Sequence, residues 1–375
     1  MSAAAPAGGP GDVPVSRRGD RLTDVAGITV GHHHRLDDDV VVGGDRPGDR
    51  PGSGWATGTT VVRIAGPDPR AAVDVRGGGP GTRETDLLDP SNTVTVAHAI
   101  VLTGGSAYGL AAADGVMAEL ERAGVGLPMD IHGHVVPIVP AAVIFDLPVG
   151  GWDRRPDAGF GAAATRAAAQ GFAIGSVGAG TGARAGGLKG GVGTASRVID
   201  AGPAAGVTVG ALIVANPVGT VIDPATGLPW GIGVADLERF GLRQPTPADI
   251  GAVADIASKA TVLNTTIGVV ATDAALSPAS LRRMAVAAHD GLARAIVPVH
   301  SPLDGDTIFA VSTGARPVEP SPLIPPGMNP EAAVLTQVAQ VAAEVTRDAV
   351  WQAVIAARPV AGIPAYADVV PSALR

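Results

Sequence analysis

A chain in which about every seventh residue is glycine and aromatic rings are scarce cannot fill its core with large side chains. Glycine takes 53 of 375 positions and Phe, Trp and Tyr together 3%, while apolar residues reach 46%. The core must therefore be built from Ala, Val, Ile and Leu, and layers of such small residues can approach one another closely. This length is enough for one large domain or two ordinary ones with a sizeable core. Cysteine is absent, which excludes a disulfide scaffold, a thiol nucleophile, a cysteine zinc site and an iron–sulfur cluster. Any nucleophile has to be oxygen or nitrogen.

Asp and Glu outnumber Lys and Arg by 35 to 27, a formal charge of -8. With no basic run to follow a phosphate backbone, nucleic acid is not an expected partner. The amino terminus has no apolar leader core, and no later run is long and apolar enough to span a membrane, so a cytoplasmic protein without a membrane partner is expected.

Residues 1–20, rich in Ala, Gly and Pro, read as a disordered lead, and 21–375 as a single domain. LTDVAGITVG, GTTVVRIAG and RAAVDVRGGG are short β-branched runs closed by glycine, the pattern of strands. Helices are expected over 110–123, ending at Gly124, and over 162–170. GSVGAGTGARAGGLKGGVG followed by VTVGALIVANPVG reads as a glycine loop and a hairpin. Residues 216–247 read as loop, with a further connector through Lys259. A strand over 266–272, a helix capped by Ser277 and Pro278 and running to about Ile296, and a long helix from Asn329 to about Ala357 complete the pattern. Val334, Val338, Val341 and Val345 form one apolar face of that last helix. Strands grouped with flanking helices, without a βαβ repeat, favour an α+β layered sandwich over a doubly wound sheet.

Several motifs invite chemistry and mostly resist it. His32, His33 and His34 stand just before Asp37, Asp38 and Asp39, but adjacent histidines on a strand point to opposite faces, and neither an i+4 partner nor HExxH is present. They read as an exposed polar loop, and no metal is expected. His132 and His134 share a strand face and read as half-buried structural residues. The glycines at 178, 180 and 182 lack both the lysine of a phosphate loop and the setting of a dinucleotide fold, so no cofactor is expected. There is no GxSxG elbow and no Ser/His/Asp arrangement.

Asn264-Thr265-Thr266 lies immediately before a buried strand. One reading is structural, a threonine opening a strand after an Asn turn. The other makes Thr265 an amino-terminal residue after chain cleavage. Its α-amine, with a reference pKa of about 7.7–8, is then a base two carbons from the hydroxyl. Asp304 and Asp306 bracket a glycine and either form an Asx-type turn or hold a hydroxyl and an ammonium. Lys189 is either a solvated side chain or, beside a pocket, a charge that lowers the pKa of a nearby amine. Asn216 either forms a turn or donates its amide to an oxyanion.

These signals coincide with a known pattern. LTDVAGITVGH, RGGGPGTRETDLLDP, LTGGSAYGL, VPIVPAAVIFDL, GSVGAGTGARAGGLKGG, VANPVG, NTTIGVVATDA and DGDTIFAV run through nearly the whole chain. Together they make it resemble the L-aminopeptidase/D-esterase family of self-cleaving N-terminal-nucleophile hydrolases, which includes β-aminopeptidases and 6-aminohexanoate-oligomer hydrolases. The resemblance implies a four-layer αββα sandwich, made as a precursor that cuts itself and assembles into a homo-oligomer, a tetramer of processed protomers. By match to the family's cleavage motif the cut falls between Asn264 and Thr265, giving 1–264 and 265–375, with Thr265 as the nucleophile.

On the same resemblance, Asn216 and Tyr108 stabilise the oxyanion or orient the reacting group, Lys189 stands near the nucleophile as in the nylon-oligomer branch, and Asp304 and Asp306 position it. The implied substrates are small peptides, amides or esters with a free amine. The alternatives are 6-aminohexanoate-oligomer hydrolysis, acyl transfer of the ornithine acetyltransferase type, and an unprocessed binding protein that kept the fold. Many aminopeptidase members have Gly-Ser or Asn-Ser where this chain has Asn-Thr, and the HHH and DDD segment lies outside the shared pattern.

Overall fold

The β-branched and alanine-rich runs pair into two five-stranded sheets stacked face to face. The computed structural model describes residues 20–44, 48–256, 264–322 and 324–375. Of the expected lead only Asp20 falls within these ranges, and it bonds the Arg239 guanidinium at 2.9 Å. The first sheet runs in the order β1 (Ile28–Leu36), β2 (Ala56–Ile64), β5 (Ala99–Thr103), β8 (Ala141–Val143) and β4 (Thr82–Arg83). The second runs β11 (Gly191–Val198), β12 (Thr208–Ala215), β13 (Ile267–Ala274), β14 (Thr307–Arg316) and β3 (Arg70–Val75). Two small ribbons, β6 (Leu127–Pro128) with β7 (Val135–Val136) and β9 (Arg184–Ala185) with β10 (Leu188–Lys189), lie outside the sheets.

Helices close both outer faces. On the first sheet lie α1 (Ala112–Arg122) and α2 (Ala158–Arg166), burying Val61, Val101, Val116 and Leu120. On the second lie α5 (Pro278–Ala295) and α6 (Ala332–Ile355), burying Ile213, Met284, Val345 and Trp351. The inner faces meet through Val62, Ile100, Leu212, Val269 and Phe309. The molecule is thus the expected four-layer αββα sandwich.

Glycine sets how close these layers come. A methyl group on Gly115 of α1 would meet the Ala158 carbonyl oxygen at 1.7 Å, and one on Gly161 of α2 the Ala112 carbonyl oxygen at 1.8 Å. These distances are far below van der Waals contact, so the two helices cross where neither has a side chain. Gly193 does the same for β11 beneath α6, where a methyl would stand 2.0 Å from the Ala349 carbonyl oxygen.

Three expectations need correcting. The Pro-rich connector contains two helices, α3 (Val234–Arg239) and α4 (Pro247–Asp255). Thr246 caps α4 by accepting from the Asp249 N–H, with Pro247 in the first turn, which is the same cap that opens α5 at Ser277 and Pro278. The end of that connector, through Lys259, lies outside the described residues.

The three histidines are part of β1, not a loop after it. His32 Nε2 bonds the Ala173 carbonyl at 3.0 Å and Nδ1 meets the Thr60 hydroxyl at 2.9 Å, while the His33 ring packs edge-on to Phe160. Burial pushes His32 down to about 4, so the ring is neutral at pH 7. His132 and His134 are exposed and sit in a turn gathered by Asp130, whose carboxylate accepts both of their backbone N–H groups. A short helix, α7 (Tyr366–Val369), precedes the carboxyl terminus. Among the described residues no helix is long and apolar enough to cross a membrane.

Candidate active site

The entry of β13 is the centre of a buried polar cluster. Asn264, Thr265 and Thr266 are all nearly inaccessible, at 2%, 4% and 0% exposure. The Thr265 N–H donates to the Asn216 carbonyl at 3.0 Å, which fixes this end of β13 against the end of β12. The Thr265 hydroxyl donates to the carbonyl oxygen of Asn264, the residue before it. That same oxygen accepts from the Gly305 N–H at 3.2 Å.

The D-G-D turn therefore grips the Asn264–Thr265 bond from both sides. Asn264 forms a parallel bridge with Asp304, and the Thr266 N–H donates to Asp306 Oδ1 at 2.7 Å. Asp304 accepts from the Ser301 N–H at 3.1 Å and the Val218 N–H at 3.3 Å. Burial raises its pKa, and the Asp306 charge raises it further. Neither carboxylate takes the simple Asx-turn role. The Asp306 carboxylate binds the Thr266 N–H on one flank of Thr265, while on the other the backbone of the turn bridges to Asn264 and the Asp304 carboxylate ties that turn to Ser301 and Val218.

RGGGPG explains itself here. Arg76 and Gly77 donate their N–H groups to the Asp306 carbonyl at 2.9 and 3.3 Å, and Gly79 donates to the Asp304 carbonyl at 2.8 Å. A methyl on Gly77 would stand 2.3 Å from that Asp304 oxygen, so this segment lies flat on the turn only as glycine.

The remaining candidates sit at different removes. Asn216 is fully buried. Its side-chain oxygen accepts from the Arg184 N–H at 2.9 Å and its amide donates to the Phe145 carbonyl at 3.4 Å, so it is its backbone carbonyl that meets Thr265. Lys189 is also fully buried, not solvated. Its ammonium donates to the carbonyls of Gly180, Ala183 and Gly190 at 2.7, 2.7 and 2.8 Å. It thereby closes the glycine loop next to Arg184, the residue that holds Asn216. Tyr108 is 56% exposed, with the Arg155 guanidinium 3.8 Å from its ring centre. Among the described residues no hydrogen bond or ring contact joins it to the cluster.

Three residues in or beside the cluster were not apparent in the sequence. Asp146, at the end of the apolar run VIFDL, is buried and accepts from the Gly105 N–H at 2.6 Å and the Thr57 hydroxyl at 2.7 Å. Burial raises it to about 6, against those two donors and the Lys189 charge. Its lone acidic character in an apolar run was the available signal. His300 bonds Asp306 through Nδ1 at 2.8 Å. Gly305 contributes only its backbone, which no residue pattern announces. A cavity of about 450 Å³, lined among the described residues by Leu188, Val218, Val221 and Ile222, lies beside this cluster and shares Val218 with it.

Residues 20–366 match peptidase family S58. An uncharacterised aminopeptidase of Mycobacterium tuberculosis is 55% identical over 357 residues, covering 94% of this chain and 98% of its own length. A 6-aminohexanoate-oligomer endohydrolase of a Kocuria species is 33% identical over 366 residues, covering 92% of this chain and 91% of its own. Among solved structures, a Burkholderia β-aminopeptidase superposes with a TM-score of 0.66 at 26% identity, covering 95% of this chain and 93% of that one.

Proposed function

The chain belongs to peptidase family S58 and is a hydrolase, and on that footing we propose that it cuts itself between Asn264 and Thr265 and then hydrolyses small amine-bearing amides or esters with Thr265 as nucleophile. The observation that carries this reading is the environment of the Asn264 carbonyl, whose oxygen meets both the Thr265 hydroxyl and the Gly305 N–H.

In maturation the Thr265 oxygen attacks the Asn264 carbonyl carbon. The negative charge that develops on the oxygen falls where the Gly305 N–H already points. The Asn264–Thr265 C–N bond breaks, the nitrogen keeps its hydrogen and gains the hydroxyl proton, and an ester links Asn264 to the threonine oxygen. Water then cleaves this ester, leaving a carboxylate on Asn264 and a free α-amine on Thr265. The Asn216 carbonyl is already bonded to that nitrogen and is placed to hold the new amine.

In turnover the hydroxyl attacks a substrate carbonyl and passes its proton to the α-amine, which returns it to the leaving amine or alcohol. Water completes the cycle by hydrolysing the acyl-threonine ester. The apolar lining of the neighbouring cavity suits a substrate with an aliphatic side chain. The Asn-Thr junction, Lys189 and the 33% identical oligomer hydrolase favour a second substrate class, 6-aminohexanoate oligomers. The reading also includes assembly of processed protomers into a homo-oligomer.

Intact mass of the purified full chain tests the cut. Fragments of 264 and 111 residues are expected from the wild type, and an uncut, inactive chain from Thr265→Ala. Cutting or turnover by Thr265→Ala would place the nucleophile elsewhere. An amino-acid p-nitroanilide, a β-peptide, a 6-aminohexanoate oligomer, and acetylornithine with glutamate, assayed side by side, separate the substrate classes.

A further inference from the structure

The Asp306 carboxylate accepts three hydrogen bonds from the described residues, and two of the three come from one residue. Its Oδ1 accepts the Thr266 N–H at 2.7 Å. Its Oδ2 accepts both the backbone N–H of His300 at 3.2 Å and the His300 ring through Nδ1 at 2.8 Å. The carboxylate is an acceptor there, so Nδ1 carries the proton. His300 holds a left-handed backbone, φ 53°, which is strained for a residue with a side chain. That conformation is what lets its backbone and its ring converge on a single oxygen.

Among the described residues the ring has no other polar contact, and its buried Nε2 meets no hydrogen-bond partner. Its face is set by His289 of α5, packed edge-on with ring centres 4.9 Å apart. His289 is itself fixed by a bond from Nε2 to the Asp74 carbonyl at 3.1 Å, and burial pushes it down to about 4, so it presents a neutral wall. A half-buried imidazole in a strained backbone, clamped on one side and bonded among the described residues only to Asp306, is costly unless Asp306 must be aimed.

We propose that His300 is a positioning residue for the Thr265 centre: it locks the Asp306 carboxylate on the Thr266 N–H, and through it the angle at which Thr265 enters the site. This rests on the Thr265 reading above. The effect belongs in the reactive step, since a nucleophile turned slightly out of line loses rate before it loses substrate.

His300→Gly keeps the left-handed backbone without strain and removes the ring donor, whereas His300→Asn tolerates that backbone and returns an N–H donor near the Nδ1 position. In the full chain, His300→Gly is expected to slow self-cleavage and, once processed, to lower kcat about 10- to 100-fold with KM within about twofold. His300→Asn is expected to recover most of that loss. In an Asp306→Ala background His300→Gly should cost nothing further. In the uncut Thr265→Ala chain, hydrogen exchange at the Thr266 amide should quicken with His300→Gly and not with His300→Asn.

Wild-type kcat in folded His300→Gly, equal losses in the Gly and Asn variants, or losses that multiply with Asp306→Ala would each overturn the proposal. If His300→Gly does not accumulate, His300→Asp against His300→Asn makes the same comparison between near-isosteric side chains, one accepting and one donating. A processed, active wild type with an indifferent His300 refutes this proposal alone. Cutting by Thr265→Ala refutes the nucleophile itself, and the exchange measurement on the uncut chain does not depend on turnover.

Discussion

Gly305 has its N–H on the Asn264 carbonyl and no room for a side chain. A methyl there would stand 2.8 Å from the Gly79 carbonyl oxygen, 2.9 Å from Thr265 Oγ1 and 3.0 Å from Pro80 Cα. The first and last neighbours are backbone, so the mobile partner is the hydroxyl. Gly305→Ala is therefore expected to turn Thr265 away from the carbonyl and slow self-cleavage by about 100-fold or more, measured as uncut chain by mass over time. Cleavage at the wild-type rate would mean that the hydroxyl does not need its present place. The candidates that sequence could name lie in short polar motifs, N-T-T and D-G-D-T, or as a lone polar residue, Asn216, set against apolar strands. Asn216, Asn264, Thr265, Asp304 and Asp306 meet around one peptide bond. Gly305 was invisible because its contribution is an N–H, and His300 because its pairing with Asp306 depends on a left-handed turn that no propensity foretells.

Elements were legible where one rule decided them. β12 is buried at every position and, after Thr208, its sequence is apolar or glycine, so it reads as a buried strand. The α5 start was legible from Ser277-Pro278, whereas the same signal at Thr246-Pro247 was masked by the surrounding prolines. Three histidines in a row look like a loop, yet they belong to β1. In the strand they instead alternate between packing sites, His32 reaching Ala173 and His33 reaching Phe160.

Glycine within helices gives a sign test of how the layers are held apart. Propensity alone predicts that Gly→Ala inside a helix stabilises by about 0.5–1 kcal/mol. At Gly251 of α4, where no described atom lies within 4 Å of the added methyl, that gain is expected. At Gly115 of α1, facing the Ala158 oxygen at 1.7 Å, overpacking should reverse it to a loss of about 1–3 kcal/mol. Urea unfolding of the two variants checks this, and a stabilised Gly115→Ala would show that α1 and α2 can separate at no expense.

At the scale of the molecule, the proposed cut would divide the second sheet without opening it. β13 and β14 lie on the carboxyl-terminal side of Thr265, and β12 and β3, on the amino-terminal side, flank them. β12 pairs with β13 from Val209 opposite Thr272 to Val214 opposite Ile267, and β14 pairs with β3 from Thr307 opposite Val75 to Ser312 opposite Arg70. α5 and α6, also on the carboxyl-terminal side, cover this sheet and share its core with Ile213 of β12. Separating the pieces would expose that core and leave both strand ladders unpaired in water, a far larger loss than the stability typical of a domain. The two fragments are accordingly expected to elute together in native size-exclusion chromatography and to part only in denaturant. Dilution from denaturant should restore less activity to the cut protein than folding restores to the uncut chain, because the central strand pair must then be inserted from a separate molecule. Fragments that separate without denaturant would contradict the sheet order on which this rests.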